Sequence, residues 1–246
     1  MSSYSDFAAY YDELTQNVDY ERRAAFIHQL LLDEGRDGGI LLDAACGTGT
    51  LCEAFAARGY EVIGADSSAE MLAEALNKKI VSGQDIIYLC QPLEKLDLYG
   101  TVNAAICTLD SINHLAGPEQ VLRAFARISL FLEPGGVFVF DANTLYKHRE
   151  ILADNTYVYD CEDVYCVWQN TLEGDRVRIH LDLFEADGDC YYRTEEEFCE
   201  LTYPAEQLCS MLEQAGLSVT GIYDGYTRKQ PGEKTERLVF AARKRK

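Results

Sequence analysis

The chain has 246 residues, 48% of them hydrophobic, which suits one α/β domain with or without an insertion and supplies enough apolar side chains for a core. Its 41 acidic residues against 22 basic ones leave a net charge of −19, which argues against a nucleic-acid partner because such binding draws on phosphate neutralisation. No apolar run approaches the ~20 residues of a membrane span, and Met1 to Leu14 has neither a basic start nor an apolar signal core, so a cytoplasmic protein with no membrane partner is expected.

The segment over residues 4–18 carries Tyr4, Phe7, Tyr10 and Tyr11 with few helix markers. Asp19 then caps a predicted helix with Ala24, Ile27, Leu30 and Leu31 on one face, ending near Gly35. Ile40 to Leu42 is an apolar strand that ends in Asp43, and a tight turn follows at Gly47 and Gly49. An amphipathic segment with Leu51, Ala54 and Phe55 stops at Gly59, and a second strand through Val62 and Ile63 ends in Asp66. This strand, turn, helix and strand, with an acid at each strand tip, suits a nucleoside ligand. The turn admits the ligand to the backbone, helix amides face an anion, and the second acid meets ribose hydroxyls.

Residues 69–79 read as a helix, with short strands at Ile86 to Leu89 and Ala104 to Thr108. Val121, Leu122, Phe125, Ile128 and Leu132 recur at helical spacing, and Pro134-Gly135-Gly136 turns the chain into a buried strand at Val137 to Phe140. Strands alternating with helices predict a mostly parallel sheet covered on both faces. Beyond Asn143 the pattern changes: Val177, Ile179, Leu181 and Leu183 alternate with Arg178, His180 and Asp182, as in a half-buried antiparallel strand. With hairpin turns at Glu173-Gly174-Asp175 and Asp187-Gly188-Asp189, residues 156–203 are expected to form a three-stranded antiparallel insertion over the active-site mouth. The remainder, residues 1–155 and 204–246, is expected to form the main domain. Leu208, Met211, Leu212 and Ala215 restore helical spacing, and two strands near Leu217 to Tyr223 and Arg237 to Arg243 should close the sheet as an antiparallel hairpin.

The form of the glycine turn narrows the ligand. A dinucleotide site wants G-x-G-x-x-G, but Cys52 stands at the third glycine position. The pattern Asp43-x-x-Cys46-Gly47-Thr48-Gly49 instead resembles motif I of class I S-adenosylmethionine (SAM)-dependent methyltransferases. Asp66 with Ser67, Ser68, Met71 and Leu72 resembles that family's D-x-S-x-x-M-L continuation, and the turn at Pro134 to Gly136 resembles the one before its fifth strand. The family usually begins motif I with D-x-G-x-G, so Ala45 replaces a glycine.

The resemblance implies a Rossmann-like α/β fold of seven strands, mostly parallel, with an antiparallel C-terminal hairpin. It also implies methyl transfer from SAM, with S-adenosylhomocysteine (SAH) as product. The extra small sheet resembles the branch that methylates small molecules, including sugar-amine and glycine N-methyltransferases, so a small-molecule acceptor is expected. Asp43 is expected to reach the SAM amino group, Gly47 and Gly49 to admit the amino-acid end beside Ala45, and Asp66 with Ser67 to hold the ribose. Met71 is expected to pack on the adenine, or simply in the core. Relatives often carry an acid after the third strand to read the adenine; here Gln91, Pro92 and Leu93 stand there, leaving backbone groups or the Gln91 side chain for that task.

Tyr11 and Tyr20 lie in a segment that, in similar enzymes, folds over the SAM. Asp110, His114 and Asn143 fall where the carboxyl edge of the sheet meets the ligand crevice. Tyr11, Asp110, His114 and Asn143 are therefore the candidates for a catalytic role, with Asp110 also a cofactor contact. The insertion contributes Trp168, His180 and Tyr192, and its strand edges offer a route to a homodimer. Nine scattered cysteines without a C-x-x-C pair fit free thiols, and four histidines without H-E-x-x-H spacing predict no metal site. Two other readings stay open on the sequence: an NAD-type oxidoreductase and a non-catalytic SAM-binding protein.

Overall fold

The computed structural model describes residues 7–245, so Tyr4 and the terminal Lys246 lie outside the described residues. Its elements follow the alternation in the sequence: α1 (Phe7–Leu14), α2 (Tyr20–Asp33), β1 (Ile40–Ala44), α3 (Thr50–Ala56), β2 (Glu61–Asp66), α4 (Ala69–Ser82), β3 (Ile86–Cys90) and β4 (Val102–Cys107). Then come α5 (Pro118–Phe131), β5 (Leu132–Asn143), β6 (Thr156–Asp160), β7 (Val164–Glu173), β8 (Arg176–Asp187), β9 (Cys190–Leu201), α6 (Ala205–Gln214), β10 (Leu217–Asp224) and β11 (Arg237–Lys244). Local chemistry sets the helix ends. Asp19 accepts the amide of Arg22 at 2.9 Å, and the Ser68 hydroxyl accepts that of Met71 at 3.1 Å, each satisfying an otherwise orphaned first-turn donor. Gly83 ends α4 with a φ of 70°.

Seven strands form one sheet in the order β10-β11-β5-β4-β1-β2-β3. The pairs among β1 to β5 are parallel, whereas β11 runs antiparallel to both β5 and β10. The closing strands thus pair as an antiparallel hairpin, with β11 inserted beside β5 and β10 on the edge. Alternation along β5 divides the core. Phe138 and Phe140 face one side with Phe125 of α5, stacking further on Phe240 at a ring separation of 4.8 Å. Val137 and Val139 face the other side with Ile27 and Leu31 of α2 and Phe55 of α3. Each fully buried aromatic or branched side chain of this kind stabilises the fold by roughly 1.5–3 kcal/mol.

A second sheet, β6-β7-β8-β9, is antiparallel throughout. It has four strands where three are expected from the sequence. The added strand, β6, is five residues long, alternates half-buried with exposed positions and has no fully buried residue, so it leaves no apolar run to read. The inner face of this sheet, with Cys166, Ile179, Leu181 and Leu183, packs with Phe7, Ala8 and Leu14 of α1 and Met71 of α4. No helix among the described residues is long and apolar enough to cross a membrane.

Candidate active site

Strand order changes direction between β1 and β4, and a crevice opens there beyond the carboxyl ends of the strands. It is a cavity of about 870 Å³, within the range of small-molecule sites. Of the fifteen residues given a cofactor-binding or catalytic role from the sequence, fourteen line it; Gly49 does not.

The turn after β1 is built from left-handed residues: Ala45 at φ 63°, Gly47 at 53° and Gly49 at 75°. The two glycines differ in purpose. A Cβ on Gly47 would meet nothing within 4 Å, which leaves its backbone open to the cavity. A Cβ on Gly49 would stand 2.5 Å from the Tyr88 hydroxyl and 2.9 Å from Ala75, so that glycine is required by packing. The Ala45 and Cys46 amides both donate to the Ala65 carbonyl, at 2.7 and 3.0 Å, which fixes the turn on β2.

Asp66, at the tip of β2, accepts the amides of Gly47 and Ser68 on its two oxygens. A carboxylate oxygen has a second lone pair, so both remain able to accept from a ligand. Burial raises the Asp66 pKa, and the amides donated by Ser68 and Gly47 oppose that rise. Asp43 is almost wholly buried, and its pKa is pushed up to about 7 by that burial. Its Oδ2 accepts from the Cys52 thiol at 3.3 Å, while Oδ1 has no hydrogen-bond partner. The Gln91 side chain donates to and accepts from the backbone of Asp97, so its amide closes the loop after β3 and is occupied there. Tyr11 and Tyr20 line the cavity from the N-terminal segment, and the Tyr20 hydroxyl lies 3.4 Å from that of Thr15. Asp12 fastens α1 across the glycine turn: it accepts from Thr48 at 2.7 Å and pairs with Lys78 of α4 at 2.5 Å.

Past β4 the backbone is strained. Leu109 and Asp110 are consecutive non-glycine residues in the left-handed region, at φ 57° and 53°, each costing roughly 1–2 kcal/mol. Their amides both donate to the fully buried Asp141, at 3.0 and 2.7 Å, which holds the kink. The kink aims Asp110 at a polar cluster drawn from four elements. Arg237 of β11 pairs with Asp110 at 2.6 Å and with Asp141 at 2.5 Å. The Asn143 amide donates to Asp110 and to Glu200 of β9, each at 3.0 Å, and accepts from Lys147 at 3.0 Å. His148 lies 3.1 Å from Glu200. Burial alone would raise the Glu200 pKa, but the His148 hydrogen bond and the nearby His114 hold it at about 2. Burial opposes ionisation of Asp110 as well, and Arg237 overcomes it to lower that pKa. Burial, with Arg237 adding to it, lowers the pKa of Lys147. With its amide fully engaged, Asn143 orients its neighbours and has no proton to take.

Sequence reasoning missed Arg23, Lys147, Glu200 and Arg237, all of which line the cavity. Arg23 is the most telling. Its guanidinium lies over the Tyr226 ring and 3.6 Å from Asp141, yet its buried NH1 makes no hydrogen bond. Asp43 Oδ1 and Arg23 NH1 are thus buried polar atoms without a hydrogen bond, on two residues of opposite charge that line the same cavity. They fit the ammonium and carboxylate of a free amino-acid end such as that of SAM. From the second sheet, Trp168 lines the far wall, its indole donating to Asn170 at 2.6 Å, with Tyr159 and Phe198 each 6.4 Å away between ring centres. Tyr192 stands exposed, and His180 lies beside Asp182 outside this cavity.

Comparison with known proteins bears on the family and the fold. Residues 41–136 match the family model described as a methyltransferase domain. The chain is 32% identical to a putative methyltransferase, YqeM, of Bacillus subtilis, over 99% of this chain and 98% of that one. It is 29% identical to dTDP-3-amino-3,6-dideoxy-alpha-D-glucopyranose N,N-dimethyltransferase of Streptomyces fradiae, over 87% of this chain and 84% of that one. The crystal structure of an S-adenosylmethionine-dependent methyltransferase from Clostridium acetobutylicum superposes with a TM-score of 0.90 at 32% identity, covering 99% of each chain.

Proposed function

The chain belongs to the class I SAM-dependent methyltransferases, and we propose that within this family it methylates a small-molecule acceptor held between the main sheet and the second sheet. The strand order speaks against the NAD-type alternative, since β11 enters antiparallel beside β5. The observation that carries the reading of the site is the pair of buried groups without a hydrogen bond, Asp43 Oδ1 and Arg23 NH1, on residues that line one cavity.

When bound, SAM supplies an electrophilic methyl group on a sulfonium leaving group. In this reading Asp43 and Arg23 hold the amino-acid end, with Tyr11 and Tyr20 above it. The open Gly47 backbone admits the ligand beside Ala45, with Gly49 shaping the turn from behind. Asp66 and Ser67 hold the ribose, and Met71, Pro92, Leu93 and the backbone of Gln91 enclose the adenine. At the other end Asp110, His114, Glu200 and Lys147 receive the polar part of the acceptor, and Tyr159, Trp168 and Phe198 receive its apolar part. In-line displacement gains most from positioning, which a cavity with a preset polar cluster supplies. Of the four candidates for a catalytic role, Asn143 acts as a positioning residue in this scheme.

Residues 156–203 would then select the acceptor more than the cofactor, since Trp168 and Phe198 stand at the acceptor end. Two copies pairing through this second sheet is a further part of the reading, supported by the exposed Tyr165, Tyr191 and Tyr192. Free thiols at all nine cysteines support a reducing, cytoplasmic setting. Calorimetry with SAM, SAH and NAD in parallel tests the site. Binding of SAM and SAH, weakened in Arg23→Met and Asp43→Asn, is the expected result; equal binding by both variants would remove the amino-acid subsite.

A further inference from the structure

We propose that Asp110, His114 and Glu200 form a divalent-cation site at the acceptor end of the cavity, an inference that rests on reading that end as the acceptor pocket. His114 Nε2 lies 3.9 Å from Asp110 Oδ2 and 4.0 Å from Glu200 Oε1, and the three ligand atoms all lie within 4.8 Å of one another. These separations are too long for hydrogen bonds among the three. A cation at the centre of such a triangle would stand roughly 2.3–2.8 Å from each ligand atom, so inward shifts of about half an ångström bring all three to the usual bond length of about 2.0–2.2 Å.

The groups around the three are arranged as outer partners of a metal site. Each carboxylate is gripped through its other oxygen: Arg237 holds Asp110 Oδ1 at 2.6 Å, and His148 holds Glu200 Oε2 at 3.1 Å. Asn143 Nδ2 adds a bond at 3.0 Å to Glu200 Oε2, and at 3.0 Å it also donates to Asp110 Oδ2, the oxygen that faces His114, which keeps a second lone pair for a cation. Such partners fix ligand orientation and strengthen metal binding. The left-handed backbone at Leu109 and Asp110 is what turns the Asp110 side chain toward His114. All three ligands line the cavity, so remaining coordination positions would open toward an acceptor. One imidazole with two carboxylates suits Mn²⁺, Fe²⁺ or Zn²⁺ better than an all-oxygen site for Mg²⁺ or Ca²⁺. A cation there would bind an acceptor oxygen or nitrogen and ease loss of its proton. Sequence spacing gave no sign of this because Glu200 reaches the other two only through the fold.

A second group, His180 with Asp182 and Glu195, provides the control, for Arg193 already donates twice to Asp182, at 2.9 and 2.6 Å. The experiment titrates Mn²⁺, then Zn²⁺, into the metal-stripped full chain. Mn²⁺ is followed by the electron paramagnetic resonance of the free ion and by quenching of Trp168, the only tryptophan and a residue of the same cavity. One Mn²⁺ per chain is expected, with affinity at least about tenfold weaker in Glu200→Gln and His114→Ala and unchanged in His180→Ala. Absence of saturable binding by either ion overturns the proposal. So does binding that survives Glu200→Gln and His114→Ala but disappears in His180→Ala. Thermal shifts with SAH on the same proteins show that each variant is folded. Failure of wild-type protein to bind SAH would count against the cofactor reading, whereas the metal titration decides this site by itself.

Discussion

Asp66 accepts the backbone amide of Gly47 at 2.8 Å, so the acid at the tip of β2 holds the glycine turn that follows β1. One carboxylate therefore serves the loop and, in the proposed scheme, the ribose. Asp66→Ala should weaken SAH binding by about 1.5–3 kcal/mol for each charge-assisted bond lost. It should also lower the melting temperature of the ligand-free protein, because the Gly47 and Ser68 amides lose their acceptor. Asp66→Asn keeps one acceptor oxygen and should fall between the two. Calorimetry and thermal melts read both effects. A variant with reduced stability but unchanged SAH affinity would leave Asp66 a loop-holding role only.

Arg23 should discriminate the amino-acid end of the cofactor. SAH carries that end, and methylthioadenosine lacks it while sharing the nucleoside. Arg23→Met should weaken SAH roughly tenfold or more, the worth of a charge-assisted hydrogen bond, and leave methylthioadenosine nearly unchanged. Parallel loss of both ligands would mean that the substitution disturbs the turn and not one subsite.

Burial raises the Asp43 pKa to about 7, well above the ordinary aspartate value of roughly 3.9. A folded carboxyl that holds its proton more tightly than the unfolded one makes folding most favourable at low pH. From about pH 4 to pH 7 the native state then binds more protons, and stability falls as pH rises, by up to about 1.4 kcal/mol per pH unit from this group. An ammonium placed beside Asp43 favours the ionised form, so SAH binding near pH 6 should release a proton. Calorimetry in buffers of different ionisation enthalpy measures it. Release at pH 6, little at pH 8.5 and none at either pH in Asp43→Asn is the expected pattern; proton uptake at pH 6 would reverse the assignment.

The parts of this molecule that follow local rules are legible in its sequence. Helical spacing in α2 and α5, the apolar strands, the cap at Asp19 and the acids at the strand tips all depend on near neighbours. Elements held by distant partners are not. The α1 helix is short, and it is held by Asp12 on Thr48 and Lys78 and by packing under the second sheet. Arg23 sits in the polar run Glu21-Arg22-Arg23 and reads as surface charge until Tyr226 and Asp141 are folded against it. Glu200 lies in the acidic run Glu195-Glu196-Glu197 and beyond, where nothing marks it as the one that meets His148 and Asn143. Gly49 was visible as a glycine, but its packing reason, the Tyr88 hydroxyl, comes from another strand.

Ala45, the residue that replaces the family's usual first motif glycine, sits at φ 63°. A left-handed conformation costs a residue with a Cβ roughly 1–2 kcal/mol, and glycine avoids that cost. Glycine also gives the unfolded chain more freedom, which offsets about 0.4–1 kcal/mol of the gain. The balance favours Ala45→Gly by up to about 1 kcal/mol, which for a chain of this size raises the melting temperature by roughly 2–4 °C. The two amides that Ala65 receives are backbone groups and survive the change, so SAH affinity should stay close to that of the parent. Differential scanning calorimetry with and without SAH separates the two effects. A melting temperature that falls would show that the Ala45 methyl contributes more through its packing against the core than the strained backbone costs.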